Sequence, residues 1–491
     1  MKKYVIFCLV FLAVSCSDFL DEDLQGIYTS STFYKTDDHA MLALTAAYQP
    51  MSFTNIRNPL WVFGDVASDD AIKGGFAGDQ SEIAFIEQFT YTRDNGFLIH
   101  IWQRYYEGIS RTNDVIHRLG PDVSQDLRKV VTAEAKYLRA YYYFHLVNLF
   151  GEIPLKTNPV YSASDLHVPV SPVNVLYEQI ITDLQEAAEI LAEQDNNQSG
   201  RATAGAAFGL LAKVYLFQEN YEACLQAIKD MDESGNYALM DMYSHNFMAD
   251  FQNNQESVFE IQHLSGQDPF LGNSLNQWFA PQVENGYFFN APRAEFVGAF
   301  EKTDNDIYDP RLDYTLGREG TTWINGNEYD PEWSPTGFTN KKHLQPLIEI
   351  PVGTKADSDL NYVFIRYAEI LLIKAEALNE SNRPGEALVP LNLVRKRARE
   401  SYLHDESLEG YGQVPAGLLP DISETGQAAL RDIIRNERRV ELGLEFHRFY
   451  DLMRYGKSYA EERLSHTSFK YDEHRYFPIP QSEVDINSQI N

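Results

Sequence analysis

Apolar side chains recur at three- and four-residue steps through most of the chain, the spacing that gathers them on one face of a helix. Between 97 and 119, Trp102, Tyr105, Tyr106, Ile109 and Ile116 fall on such a face together with Asn113. A second long helix is predicted over 127–150, stopped by Gly151 with Pro154 beyond it. Its run "YLRAYYYFHLVNLFG" places Tyr141, Phe144 and Val147 at helical spacing, which favours core filling over a binding stripe. A third helix is predicted to open with Ser171 as N-cap and Pro172 at the first helical position, with a stripe of Leu176, Ile180, Leu184, Ala187 and Leu191.

Two segments repeat one design. "FGLLAKVYLFQENYEACLQAIKDM" carries Phe208, Leu211, Ala212 and Tyr215 on one helix, Asn220-Tyr221 at a turn, and Cys224, Ile228 and Met231 on the next. "LLIKAEALNESNRPGEALVPLNLVRKRA" repeats the pattern with Leu371, Ala375 and Leu378, then Ala387, Leu391 and Val394. This is the tetratricopeptide pattern of helix hairpins that stack into a superhelix, each burying its apolar face on a neighbour. Cys224 is read as a packing residue.

Two stretches break the helical period. Residues 58–95 and 240–354 are rich in Gly, Pro, Asn and aromatics. Long irregular segments on a rigid helical frame are the usual carriers of function. Aromatics there, Trp278, Tyr287, Phe288, Trp323 and Trp333, sit beside Gly, Asn and Pro, where core filling and ligand contact are equally open. A ring face stacks well on the C–H face of a sugar while neighbouring amides and acids take its hydroxyls.

With 491 residues the chain exceeds one compact core, so two lobes or an elongated repeat are expected. A net charge of -30 gives no cationic field for a phosphate backbone, so nucleic acid is not an expected partner. No phosphate loop, G-x-S-x-G elbow, H-E-x-x-H pair or C-x-x-C occurs, and the 12 histidines lack ligand spacing. "DNDIYD" (304–309) departs from a calcium loop, with Asp309 where glycine is needed and Thr315 in place of the closing Glu. Neither a cofactor nor a metal is expected. Adjacent carboxylates such as Asp69-Asp70 leave a glycosidase pair as the enzymatic alternative. In "LRDIIRNERRVELGLEFHRFYDLMRYGK", read as one helix, Asp432/Arg435, Arg438/Glu441, Glu445/Arg448 and Asp451/Arg454 stand three apart, and a structural ion-pair network is expected of them.

At the start, Lys2 and Lys3 precede an apolar run from Tyr4 to Val14, too short to span a bilayer and suited to an export signal. "AVSC" resembles a lipobox, in which a small residue precedes a cysteine that becomes lipidated at Cys16; Ala13 stands where Leu is usual. The alternative is ordinary cleavage with Cys16 an incidental thiol. The sequence holds 3 cysteines. Loss of Cys8 with the leader and acylation of Cys16 would leave Cys224 alone, without an internal disulfide framework.

These stretches, with "CSDFLD", "LRAYYYFHLVNLFGEIPL", "YDPRL", "IRYAEILLIKAEALNE", "IIRNERRVELGLEFHRFYDLMRYGK" and "FPIPQSEVDINSQI" in order, make the chain resemble the SusD/RagB family of outer-membrane nutrient-binding lipoproteins. The resemblance implies a mainly α fold: a tetratricopeptide-like superhelix holding a loop-rich ligand surface. It implies a leader over 1–15, an N-terminal helical region over 16–239, a loop-rich insertion over 240–354 and a C-terminal helical region over 355–491. It further implies a non-catalytic protein, lipid-anchored at the cell surface through Cys16. Asp18, Asp21, Glu22 and Asp23 would act as the surface-export signal. The protein would capture oligosaccharide, or peptide in the RagB branch, for a SusC-type TonB-dependent transporter. Ligand contacts are expected in the loop after Ser68 (Asp70, Lys73, Phe76, Tyr91, Asn95) and in the insertion (Trp278, Tyr287, Phe288, Trp323).

Overall fold

The structure, a computed structural model, describes residues 33–54, 57–194, 198–352 and 357–490. Cys8, Cys16, Asp18, Asp21, Glu22 and Asp23 lie outside these residues. The scaffold is a series of helices, each packed on the next: α1 (Asp37–Tyr48), α2 (Gly96–Arg118), α3 (Gln125–Phe150), α4 (Val173–Leu191), α5 (Ala204–Phe217), α6 (Tyr221–Ser234), α7 (Tyr367–Glu380) and α8 (Pro384–His404). The fold is mainly α and tetratricopeptide-like. Among the described residues no helix is long and apolar enough to cross a membrane.

The periodicity sets this arrangement. On α3, Tyr141, Phe144 and Val147 are buried, and Gly151 ends the helix in the left-handed region (φ 71°), which suits a residue without a Cβ. On the α5–α6 hairpin, Ala212, Cys224, Ile228 and Met231 are buried, and Asn220 caps α6 by accepting from the Ala223 N–H. Burial pushes the Cys224 thiol well above its ordinary range, as a packing role requires. The α7–α8 hairpin forms its own core from Leu371, Ala375, Leu378, Ala387, Leu391 and Val394.

Two predictions are corrected. Ser171 does not cap α4: it pairs with Ile153 in a short antiparallel ladder, and Pro172 takes the N-cap position. The predicted helix through 430–457 is two helices, α9 (Gln427–Leu442) and α10 (Arg448–Arg454). Between them Leu444 and Phe446 adopt positive φ (62° and 69°), a conformation no helix interior contains. The break swings Phe446 into an aromatic cluster, stacked on Tyr362 (5.0 Å) and His343 (4.7 Å).

The predicted local ion pairs are corrected too: tertiary partners claim Arg438 and Glu441 within α9, and the break parts Glu445 from Arg448, which binds Asp69. Asp451–Arg454 forms, but Glu441 instead binds Arg311 (2.9 Å), Arg366 (2.5 Å) and Arg397, and Glu445 binds Lys342 (2.7 Å) and Arg366 (2.8 Å). Arg438 turns to Glu369 (2.7 Å) and Asp451 (2.8 Å). Arg435 lies over the Tyr455 ring, 4.1 Å from its centroid. Burial alone would raise the Glu445 carboxyl, but Arg366 and Lys342 hold it down to about 2. Glu441 is held well below the ordinary carboxylate range, its burial outweighed by Arg397, Arg366 and Arg311. Buried charges of this kind need opposite charges beside them, and tertiary partners supply them.

Neither irregular stretch is devoid of structure. Residues 58–95 hold a π-helix (Val62–Val66), strand β1 (Ala71–Gly74) and a short helix (Ser81–Glu87). The 240–354 stretch holds β2 (Ser257–Ile261), β3 (Phe289–Pro292) and several single turns of helix. Antiparallel pairing of β1 with β3, in the register Ala71↔Pro292, Ile72↔Ala291 and Gly74↔Phe289, joins the two stretches at one place.

Candidate ligand-binding site

The β1–β3 ladder positions the candidate site. Past the end of β1 the chain turns out to Phe76, and before β3 it arrives through a hairpin loop carrying Trp278 at one side and Tyr287 and Phe288 at the other. In that loop the Tyr287 N–H donates to Gln277 O (2.9 Å) and the Phe288 N–H to Ala280 O (3.0 Å). Gly286 lies so close to Ala280 that an added Cβ would collide with its carbonyl, so only glycine closes the turn. The Gly75 N–H donates to Phe288 O (3.0 Å), locking one stretch to the other.

Four of the expected residues meet here. Phe76 and Phe288 form an edge-to-face pair at 5.0 Å, and Trp278 and Tyr287 another at 5.8 Å. Phe76 is 56% exposed and Tyr287 41%, while Trp278 is partly buried against Trp61 (5.7 Å) and Phe289 (5.2 Å). Lys73 lies beneath, 5.3 Å from the Phe289 centroid. Its ammonium donates to Phe76 O (3.0 Å) and Asp79 O (2.9 Å), which pins the loop and leaves Lys73 buried. Lys73 therefore positions the Phe76 loop through its backbone.

The other expected residues are placed differently. Asp70 is buried and accepts from Arg439 Nε (2.7 Å), and Asp69 is gripped by Arg448 (2.7 and 2.9 Å). Burial would raise Asp69, but Arg448 and Arg439 hold it down to about 2. The Asp69-Asp70 pair thus ties the first stretch to α9 and α10. Asn95 is buried as the N-cap of α2, accepting from the Phe97 N–H (3.0 Å). Tyr91 packs among Phe89, His474 and Phe477, away from the ladder. Trp323 is 2% exposed, its Nε1 donating to Glu284 Oε1 (3.0 Å). Burial removes Asp70, Asn95 and Trp323 from the solvent-facing surface.

Sequence reasoning did not single out Gln277, which donates to the Tyr287 hydroxyl (3.0 Å), or the exposed amides Gln80, Gln282 and Asn285 nearby in the chain. It also passed over Asp65, which accepts from Asn290 Nδ2 (2.9 Å) and the Phe446 N–H (3.0 Å) and so anchors both stretches to the α9–α10 break. The clustering of Asn and Gln around the loop aromatics was the available signal for the amides. For Asp65 there was none. In the 304–309 segment, Asp306 pairs with Lys302 (2.6 Å) and Asp309 with Arg311 (2.7 Å). Among the described residues no group of three or more His, Cys, Asp or Glu side chains is placed to hold a metal ion.

The fold is thus a tetratricopeptide-like scaffold whose two irregular stretches interlock and raise rings to solvent. The chain belongs to the SusD/RagB family. The family model described as "SusD family" matches residues 255–491, and one described as "Starch-binding associating with outer membrane" matches 26–216. A SusD-like protein P2 from Formosa agariphila is 30% identical over 534 residues, covering 100% of this chain and 99% of that one. Among solved structures, a SusD-like carbohydrate binding protein from Bacteroides fragilis superposes with a TM-score of 0.79 at 25% identity, covering 94% of this chain and 100% of its own. A laminarin binding SusD-like protein superposes with a TM-score of 0.76 at 28% identity, covering 93% and 99%.

Proposed function

We propose that this chain is a non-catalytic cell-surface lipoprotein that captures oligosaccharides and delivers them to a partner SusC-type TonB-dependent outer-membrane transporter. The observation that carries the reading is the gathering of Phe76, Trp278, Tyr287 and Phe288 at one ladder, from stretches some two hundred residues apart, with amides around them. Rings held in place at a surface offer sugar-stacking faces without an ordering cost, and the amides offer hydroxyl partners. The names of the carbohydrate and laminarin binding relatives agree with this reading. Cys16 would carry the lipid anchor, and Asp18, Asp21, Glu22 and Asp23 would direct the chain to the outer face.

Peptide capture is the second reading, favoured by the net charge of -30, which steers cationic chains towards the surface. Calorimetric titration against glycan and peptide panels separates the two. The expected result is heat from one glycan class, none from peptides, and recovery of the glycan uncleaved after prolonged incubation. Shortened products would favour an enzyme, and heat from basic peptides alone would favour the second reading.

A further inference from the structure

Apart from the ring patch, and lined in part by Val283 and Glu284 of the same hairpin loop, lies a groove of about 570 Å³. That volume falls within the range of small-molecule sites. Its platform is Trp333, partly buried and fixed edge-to-face against Tyr329 (5.3 Å, 80°) and Trp323 (5.9 Å, 75°). Its back is Glu284, held by Trp323 Nε1 and by Asn325 Nδ2, each at 3.0 Å. The flanks are Val283, Leu347 and Ile348, 64%, 41% and 94% exposed, an apolar concentration that a solvated surface does not ordinarily keep. Asn327 and Glu328 complete the rim.

We infer that this groove is a second ligand subsite, separate from the ring patch, and that it takes an uncharged, hydroxyl-rich glycan segment. The inference rests on the glycan reading above. Three features support it. A fixed indole beside amides and carboxylates matches a sugar ring, with its apolar face and its rim of hydroxyl donors and acceptors. Among the described residues, those lining the groove include carboxylates and no cation, so a uronate or sulfate would meet like charge from them. Continuity with the patch is enforced by the chain: Val283 stands four residues before Tyr287, at most about 14 Å of extended backbone. A ligand long enough to lie along both therefore engages patch and groove together, whereas one confined to the patch does not.

The test is calorimetry of the purified chain with laminaritriose and laminarihexaose, maltotriose and maltoheptaose, and oligogalacturonate as the anionic arm. Trp333→Ala and Ile348→Asp are compared with Phe76→Ala; Ile348 is exposed, so its variant keeps the fold if Trp333→Ala does not. The expected result is a loss of about tenfold for the long neutral oligosaccharide in both groove variants, with the trimer within about twofold of wild type. Phe76→Ala should weaken both lengths. Equal losses for short and long ligands, or no loss, overturn the separate subsite. Oligogalacturonate binding that the groove variants weaken overturns the uncharged ligand class while leaving glycan capture standing. Failure of every glycan alongside binding of basic peptides overturns the glycan reading itself.

Discussion

At the residue scale, two kinds of side chain divide the work of this molecule. Phe76 and Tyr287 face solvent and hold little of the fold, so their removal should be read in ligand affinity. Phe76→Ala is expected to weaken glycan binding about two- to tenfold with an unchanged melting temperature, measured by calorimetry beside thermal denaturation. Arg311 is the opposite case: fully buried, it binds Asp309, Glu437 and Glu441. Arg311→Ala would leave three buried carboxylates short of a partner, at a cost of about 3–5 kcal/mol in stability, measured by denaturant unfolding. A loss under about 1 kcal/mol would show that the network contributes little.

The buried carboxylates also set a pH dependence. Glu445 is lowered from 4.5 to about 2 by Arg366 and Lys342 against its burial, and Asp451 from 3.8 to about 2 by Arg438 and Arg454 against the same burial. A carboxyl depressed in the folded state stabilises above its unfolded pKa and loses that stabilisation as pH falls towards the folded value. The urea midpoint should therefore drop steeply between about pH 4.5 and 2, and Glu445→Gln should flatten the drop while lowering the midpoint at neutral pH. A midpoint insensitive to acid would contradict this.

At the scale of elements, the hairpin loop from Trp278 to Phe288 carries the candidate site and the β1–β3 ladder places it. Gly286→Ala puts a Cβ against the Ala280 carbonyl. It should abolish glycan binding and also lower the melting temperature, because Phe279 and Ala280 of the same loop belong to the main hydrophobic core. Retained binding would show that the loop's shape is not needed. How much of this was legible before the structure follows from the range of each interaction. The α2 and α3 helices and both hairpins are written in three- and four-residue spacing, and a residue's neighbours along the chain suffice to find them. The pairing Ala71↔Pro292, and that of Asp69 with Arg448, 379 residues away, have no local signature. Reading Glu445 against Arg448 assumed one continuous helix, and the positive φ at Leu444 and Phe446 broke that assumption. Trp323 and Phe76 both sit in Gly-containing irregular sequence, and only the fold separates the buried ring from the exposed one.

At the scale of the whole molecule, the helical superhelix holds its shape through apolar stripes and a buried ionic network, and the two irregular stretches interlock on it to present rings to solvent. On the proposed function, this ring patch is where the protein meets its ligand. The most direct test of that is a crystal structure of the chain with the oligosaccharide that calorimetry selects. Sugar rings are expected stacked on Phe76, Trp278 or Tyr287, with hydroxyls at Gln277 and its neighbouring amides. Density for the sugar in the grooves between the scaffold helices, with the patch empty, would contradict it.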